Sequence, residues 1–359
     1  MQKRENEVRA ILLTIIISWL FQNFIDAART IYRPHDSQLP RIIVYWPNDS
    51  QRYILRDSHL EEVSIFKKFD RDYFENHMIP HVPILYRNHP DISVEGEVLS
   101  KLLEEFLEEL RRTKVNKKEF KNFIVLKSRD FNFKECSGLI VLKFKDYPFV
   151  IKLFIENPRS FIKPFSKGIE PGFFFIMGGG INRYLSGFTR VKNLEYINKR
   201  IAEDDYWKKY IDTPRKWFWQ PCNNAWFIIE GDNIGICNHQ SIMVPSVYGI
   251  VCDAIESEGS LRLVSKANRR LGIRLSHFFG CRVDPHIDNF VIEQETHKIV
   301  LVDTEHFPTM VGLQEPLEFD NYFSWYYQLS WKYACNKYGR SKSMRRALQC
   351  KEVSELAFC

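Results

Sequence analysis

The chain is poor in the signatures that mark zinc-bound and nucleic-acid-bound proteins. Its eight cysteines are Cys136, Cys222, Cys237, Cys252, Cys281, Cys335, Cys350 and Cys359, and none forms a C-x-x-C pair. That removes the support for a zinc knuckle or a thioredoxin-type motif. A chain of 359 residues does not need disulfide staples to fold. The cysteines therefore read as buried or free thiols, although their even number leaves an oxidised, exported form open. Charge of one sign is also scarce. The net charge is only +6 and is diffuse. It favours an anionic ligand such as a nucleotide, or an acidic membrane surface, and argues against nucleic-acid binding, for which no RNA-binding signature appears. Long apolar runs are few. Ala10–Phe21 is a run of 12, short of the roughly 20 residues a spanning helix needs.

What is present points to a sizeable folded body. A hydrophobic fraction of 45% and an aromatic fraction of 14% suffice for a substantial core and exclude global disorder. The length fits one bilobal unit plus an extension. Residues 1–28 read as a signal peptide, with Ala27 or Ala28 as the cleavage point, or as an anchor reaching to Ala28. A soluble amphipathic helix is the alternative. The first two readings make the protein exported or membrane-associated; the third leaves it cytoplasmic. Residues 29–120 read as an N-terminal extension. In it Arg41–Trp46 is a strand that pairs with Gln51–Leu55 across a Pro-Asn-Asp-Ser turn. His77, His81 and His89 lie among prolines and lack a metal-ligand context. The clearest helix spans Gly96–Lys114, with Leu99, Leu102, Leu103, Phe106, Leu107 and Leu110 on one face and glutamates on the other.

From Asn122 the pattern turns to strands at Phe123–Lys127, Gly138–Phe144 and Phe149–Phe154. The third carries Lys152 inside an apolar run, where an unpaired ammonium is costly and calls for a partner. Met177–Ile181 holds three consecutive glycines, read as a bend or a second phosphate cradle. Thr189–Tyr210 reads as a helix offering Glu195 and Glu203, Ala225–Ile229 as a strand, and Pro245–Phe279 as two helices, Val247–Glu256 and Ser260–Phe279. The stretch Cys281–Glu305 is the most informative. Asp284 is followed five positions later by Asn289, then by two short apolar runs, Phe290–Ile292 and Ile299–Val302, the second ending at Asp303. A hairpin there gathers Asp284, Asn289 and Asp303 around one small volume. Two carboxylates and an amide suit a hard cation such as Mg²⁺, with one carboxylate left as a base.

This order resembles the catalytic core of the protein kinase-like superfamily, where a loop H-x-D-x-x-x-x-N precedes a strand ending in a metal-binding Asp. Asp284-x-His286 and Asp303-Thr304-Glu305 are closest in style to aminoglycoside phosphotransferases and choline-type kinases. The resemblance implies an α+β bilobal fold, with residues 121–230 as the N-lobe and 231–359 as the C-lobe. It implies ATP and Mg²⁺ as cofactors and an unidentified hydroxyl acceptor. Carried over, Asp284 is the catalytic base and Lys152 contacts the nucleotide phosphates. Asn289, Asp303 and Glu305 hold metal. Ser137 and Gly138 cover the phosphates, Glu195 pairs with Lys152, and Phe227–Glu230 is the adenine-reading hinge. Three departures accompany the match. The turn Ser128–Ser137 lacks G-x-G-x-x-G, Arg282 stands where the family has His, and no A-P-E follows Asp303. A helix over Asn321–Tyr338 and a basic tail close the chain. The rival expectations are a weak or inactive pseudokinase-like scaffold tethered at a membrane, and an unrelated α+β protein in which Asp284 and Asp303 lie far apart. An exported kinase also conflicts with the scarcity of ATP outside cells.

Overall fold

Alternating apolar and polar positions build the central sheet. In Phe149–Ile155, Phe149, Ile151 and Leu153 are buried on one face, while Val150 and Lys152 are half-buried on the other. The computed structural model describes residues 41–56, 69–166, 181–234, 237–262 and 264–310. It is an α+β arrangement with three sheets of four or more strands and six α-helices among the described residues. The largest sheet is antiparallel, in the order Lys216–Trp219, Val247–Asp253, Phe149–Ile155, Ser137–Phe144, Phe123–Lys127, with Phe131–Asn132 beside Ser137–Phe144. A second sheet runs Cys237–Pro245, Trp226–Ile234, Arg41–Tyr45, Tyr53–Arg56. A third runs Ser257–Ser260, Phe290–Glu293, Ile299–Leu301, Ile211–Asp212, and its last pair is parallel.

Three apolar cores lie between these layers. One face of the largest sheet packs Ile140, Leu142, Ile151 and Leu153 against Leu99, Leu103, Phe106 and Leu110 of the helix Gly96–Arg112. That helix carries Arg111 and Arg112 in its last turn, where cations complement the helix dipole. The other face packs Phe154, Tyr248 and Ile250 against Ile42, Val44, Phe227 and Ile229 of the second sheet and against Phe188 and Val191. The third core joins Leu275, Phe279, Val283, Ile287, Phe290 and Leu301.

The helix Ile181–Ala202 links two of these cores, with Phe188 and Val191 in one and Ile197 and Ile201 in the other. It approaches the sheet closely because residue 187 is glycine. A Cβ there would lie 2.0 Å from the Tyr248 hydroxyl and 2.9 Å from the Phe154 ring.

Most expected elements agree in type. The strand pair near residue 45, the three strands after Asn122, the helix from Gly96 and the hairpin after Asn289 are all present. One element differs. Val247–Asp253 is a strand rather than a helix, buried at every residue between Phe149–Ile155 and Lys216–Trp219. A short apolar run carries no period that separates buried strand from buried helix, and only its neighbours decide. The following helix is Lys266–Phe278, capped by the Ser265 side chain. The apolar run Ala10–Phe21, the glycines 178–180 and the helix expected over Asn321–Tyr338 lie outside the described residues. Among the described residues no helix is long and apolar enough to cross a membrane.

Candidate active site

The site forms where the helix Ile181–Ala202 runs between the largest sheet and the Phe290–Leu301 hairpin. Lys152 lies on the sheet face toward this helix, in register with Ile250 and Val141. Asp303 lies two residues past the end of the hairpin's second strand, Ile299–Leu301. Lys152 Nζ donates to Asp303 Oδ2 at 2.6 Å across 151 positions of sequence. The expected demand of Lys152 for a partner is therefore met, and by Asp303.

Asp284 and Asn289 are tied to the same hairpin. Asp284 Oδ1 accepts from the His286 backbone N–H at 2.9 Å. Asn289 Nδ2 donates to the Asp284 carbonyl at 3.3 Å. The Val302 N–H donates to the Asn289 carbonyl at 2.9 Å, next to Asp303. Burial pushes the Asp284 carboxyl up to about 7; the His286 N–H opposes this, and the charges of Asp303 and Glu305 add to it. A carboxyl poised near neutrality suits proton acceptance.

Sequence reasoning missed Arg190, Lys216, Ser186 and Thr304. Arg190 is 4% exposed and bridges both acidic groups. Its Nε donates to Asp303 Oδ1 at 3.0 Å and its Nη2 to Glu305 Oε2. The Ser186 hydroxyl donates to Glu305 Oε1. Lys216 Nζ donates to Thr304 Oγ1 at 2.6 Å and to the Val302 carbonyl at 3.1 Å. Thr304 Oγ1 in turn donates to the Arg190 carbonyl at 2.7 Å, and Asn193 Nδ2 to the Thr304 carbonyl at 3.0 Å. Burial opposes the charge on Asp303, yet Arg190, Lys152 and Lys216 together hold its carboxyl well below the usual range. Burial lowers the Lys216 ammonium to about 7, against the attraction of Asp303. Two signals for these residues were in the sequence. Arg190, Asn193 and Ile197 recur at helical spacing on one face, and Lys216 shares a strand face with Phe218.

Other expected residues stand apart from this cluster. Glu195 is on the same helix but accepts from the Tyr73 hydroxyl at 2.7 Å and pairs with His77 at 3.1 Å. The structure does not bring it to Lys152; from this helix Ser186, Arg190 and Asn193 face the site. Phe227 is fully buried against Trp46, Phe161 and Tyr184. Glu230 accepts from the Tyr45 hydroxyl. Both belong to the second sheet, so neither joins the Lys152 cluster. Two segments connect the largest sheet with the third, 213–215 and 254–256. Ser137 and Gly138 begin the strand Ser137–Phe144. Gly138 has φ +112°, and a Cβ there would meet the Asp130 carbonyl at 2.2 Å, so this turn requires glycine.

Asp303, Glu305 and Asn289 carry the oxygen donors that Mg²⁺ takes. In the arrangement observed they do not form an open metal site. Both oxygens of Asp303 and both of Glu305 are engaged by Lys152, Arg190 and Ser186. Among the described residues no group of three His, Cys, Asp or Glu side chains is arranged to hold a metal ion. No protein-family model matches the chain, and no curated protein matches it at a significant level.

Proposed function

We propose that this chain is a kinase-like phosphotransferase of the small-molecule type, moving the γ-phosphate of ATP to a hydroxyl acceptor. One observation carries the reading. Lys152 and Asp303 meet at 2.6 Å across 151 positions, with Asp284 near enough that their surroundings share charge. The arrangement of layers supports the bilobal kinase-like form. The sheet bearing Lys152, a helix running behind it, and a hairpin bearing Asp303 follow in that order along the chain.

The chemistry rests on the protein's own groups. Lys152 is half-buried, so its ammonium can reach phosphate oxygens without a full desolvation cost. Asp284 accepts the proton of the attacking hydroxyl, and a pKa of about 7 makes it a usable base at neutral pH. Catalysis of this class is mainly positioning and charge neutralisation. Asn289, Asp303 and Glu305, an amide and two carboxylates, are the residues expected to hold Mg²⁺.

A second reading is a pseudokinase-like scaffold. Arg190 favours it, because a buried arginine neutralises the two carboxylates that a metal needs. A thermal-shift titration with Mg-ATP on the full chain separates the two. The phosphotransferase reading expects a rise in melting temperature at millimolar Mg-ATP, lost in Lys152→Met, and release or transfer of phosphate that is lost in Asp284→Asn. No shift in the parental chain supports the scaffold. Asp303→Ala that still transfers phosphate at the parental rate removes Asp303 from the site.

A further inference from the structure

We propose that the helix Lys266–Phe278, together with the aromatic turn Tyr206–Tyr210 packed beside it, forms a surface that docks on an anionic lipid bilayer. This uses none of the residues of the Lys152–Asp303 cluster and stands whether or not the chain transfers phosphate.

Charge is the first observation. In the whole chain 51 Lys and Arg stand against 45 Asp and Glu, yet between Glu258 and Asp284 there is no acidic residue and there are six Lys and Arg. The fold sorts them. Gly272, Ile273, Leu275 and Ser276 of the helix are buried, while Lys266, Arg270, Arg274 and His277 are exposed. At 3.6 residues per turn these four fall within about 80° of arc, and Lys266 to Arg274 make a stripe about 12 Å long. Other exposed helices here pair their cations one turn away, as in Arg71–Glu75, Arg112–Glu108 and Lys199–Glu203. Among the described residues Lys266, Arg270 and Arg274 have no carboxylate partner. Like charges four residues apart weaken a helix, and an anionic surface laid on the stripe removes that cost.

The second observation is apolar surface along the same stripe. The Arg274 guanidinium lies 5.5 Å from the centre of the Trp207 ring, and Trp207 packs on Phe278 at 5.7 Å. Tyr206 stands 5.0 Å from both Trp207 and Tyr210. Tyr206 is 56% exposed and Tyr210 50%. At the other end Val264 is 85% exposed, just before the capping Ser265. The carboxylates beside the turn are committed: Asp204 accepts from the Tyr206 and Trp207 amides, and Asp205 pairs with Lys208. Tyr and Trp rings interleaved with Lys and Arg suit the headgroup layer of a bilayer, where the cations meet lipid phosphates and carboxylates. Val264 adds an aliphatic group for the acyl boundary. A single-stranded nucleic acid stacks its bases on open ring faces. Here Arg274 covers Trp207, Tyr206 and Tyr210 tilt against each other at 51°, and Val264 offers no ring.

The experiment uses the full-length chain with vesicles of phosphatidylcholine alone and vesicles in which about 30% is phosphatidylserine. Cosedimentation gives the affinity for each. Hydroxyl-radical footprinting of Tyr206 and Tyr210 reads this surface itself, even where another part of the chain also holds lipid. The parent is expected to prefer the phosphatidylserine vesicles, and both tyrosines to be protected on them and not on phosphatidylcholine. Lys266→Gln/Arg270→Gln, two exposed changes that leave Trp207 untouched, is expected to lose the protection and to cut the preference about 25-fold, about fivefold for each cation. Equal protection on both vesicles, or an unchanged preference in the double variant, overturns the proposal. If that variant does not fold, salt decides on the parent: protection that persists undiminished at about 0.5 M NaCl overturns it, because screening removes a charge-driven contact. Protection of the two tyrosines by polyuridylate, with none on phosphatidylserine, gives the surface to nucleic acid and overturns the lipid assignment.

Discussion

Replacing Arg190 by methionine tests whether the charge cluster is organised as described. The substitution keeps much of the side chain's apolar length and removes the guanidinium. Arg190 is nearly inaccessible and bonds to Asp303 and Glu305. Asp303 keeps Lys152 at 2.6 Å. Among the described residues Glu305 keeps only the Ser186 hydroxyl as a side-chain partner. Removing one partner of a buried ion pair costs about 3–5 kcal/mol, a large part of the roughly 5–15 kcal/mol that holds a domain together. The loss should fall mainly on Glu305. Arg190→Met/Glu305→Gln should therefore recover more than half of it, and Arg190→Met/Asp303→Asn less, because that pair strands Lys152. Urea unfolding followed by tryptophan fluorescence measures all three, with the slope against urea expected to stay constant. The pH dependence gives a second check. Asp303 has a folded pKa below its unfolded value of about 3.9, so its contribution is complete above about pH 4 and is lost as pH falls through the folded value. Without Arg190, burial is opposed only by Lys152 and Lys216, and the folded value rises. The difference between parent and variant should then be full at pH 8 and shrink as pH falls through that higher value. A loss under about 1 kcal/mol, no recovery in the Gln variant, or a difference unchanged from pH 8 to pH 4 would refute the reasoning.

Three further outcomes follow from single residues. Asp284 carries a folded pKa of about 7, raised chiefly by burial, so the native state holds a proton that the unfolded chain releases between about pH 4 and pH 7, and stability falls as pH rises across that window. Asp284→Asn should melt higher than the parent at pH 8 and no higher at pH 4, while phosphate transfer by the parent should rise with pH through about 7; a pH-independent melting difference contradicts this. Gly187→Leu should destabilise the chain by at least about 2 kcal/mol in urea unfolding, because even a Cβ meets Tyr248 and Phe154. Gly138→Ala should cost about 1–3 kcal/mol through its positive φ and the Asp130 carbonyl; an unchanged midpoint would show that the turn relaxes freely.

Period-based reasoning succeeded where a segment has one wet face and one dry face. The helix Gly96–Arg112 shows this, with leucines and Phe106 inside and glutamates outside. It failed at Val247–Asp253, where every side chain is buried and the strand lies between two others. A fully buried run has no polar face to reveal its period. The same limit affected the hinge. Phe227 and Glu230 sit in a genuine strand, yet that strand joins Arg41–Tyr45 in another sheet, a partnership across some 185 residues that no local pattern encodes.

The sequence by itself determined the acidic half of the site, its one strand lysine and the local devices that carry them. Lys152 inside an apolar strand, the Asp284–Asn289 spacing and the hairpin ending at Asp303 were all legible, because strand alternation, turn residues and spacing are short-range properties. Tertiary structure alone decided who partners whom. It gave Lys152 to Asp303 rather than to a glutamate, turned Glu195 toward Tyr73 and His77, and inserted Arg190 between the two carboxylates. The physical reason is that burial makes every charge demand a counter-charge. Which one it finds depends on how closely a helix can approach a sheet, and here that approach is set at Gly187.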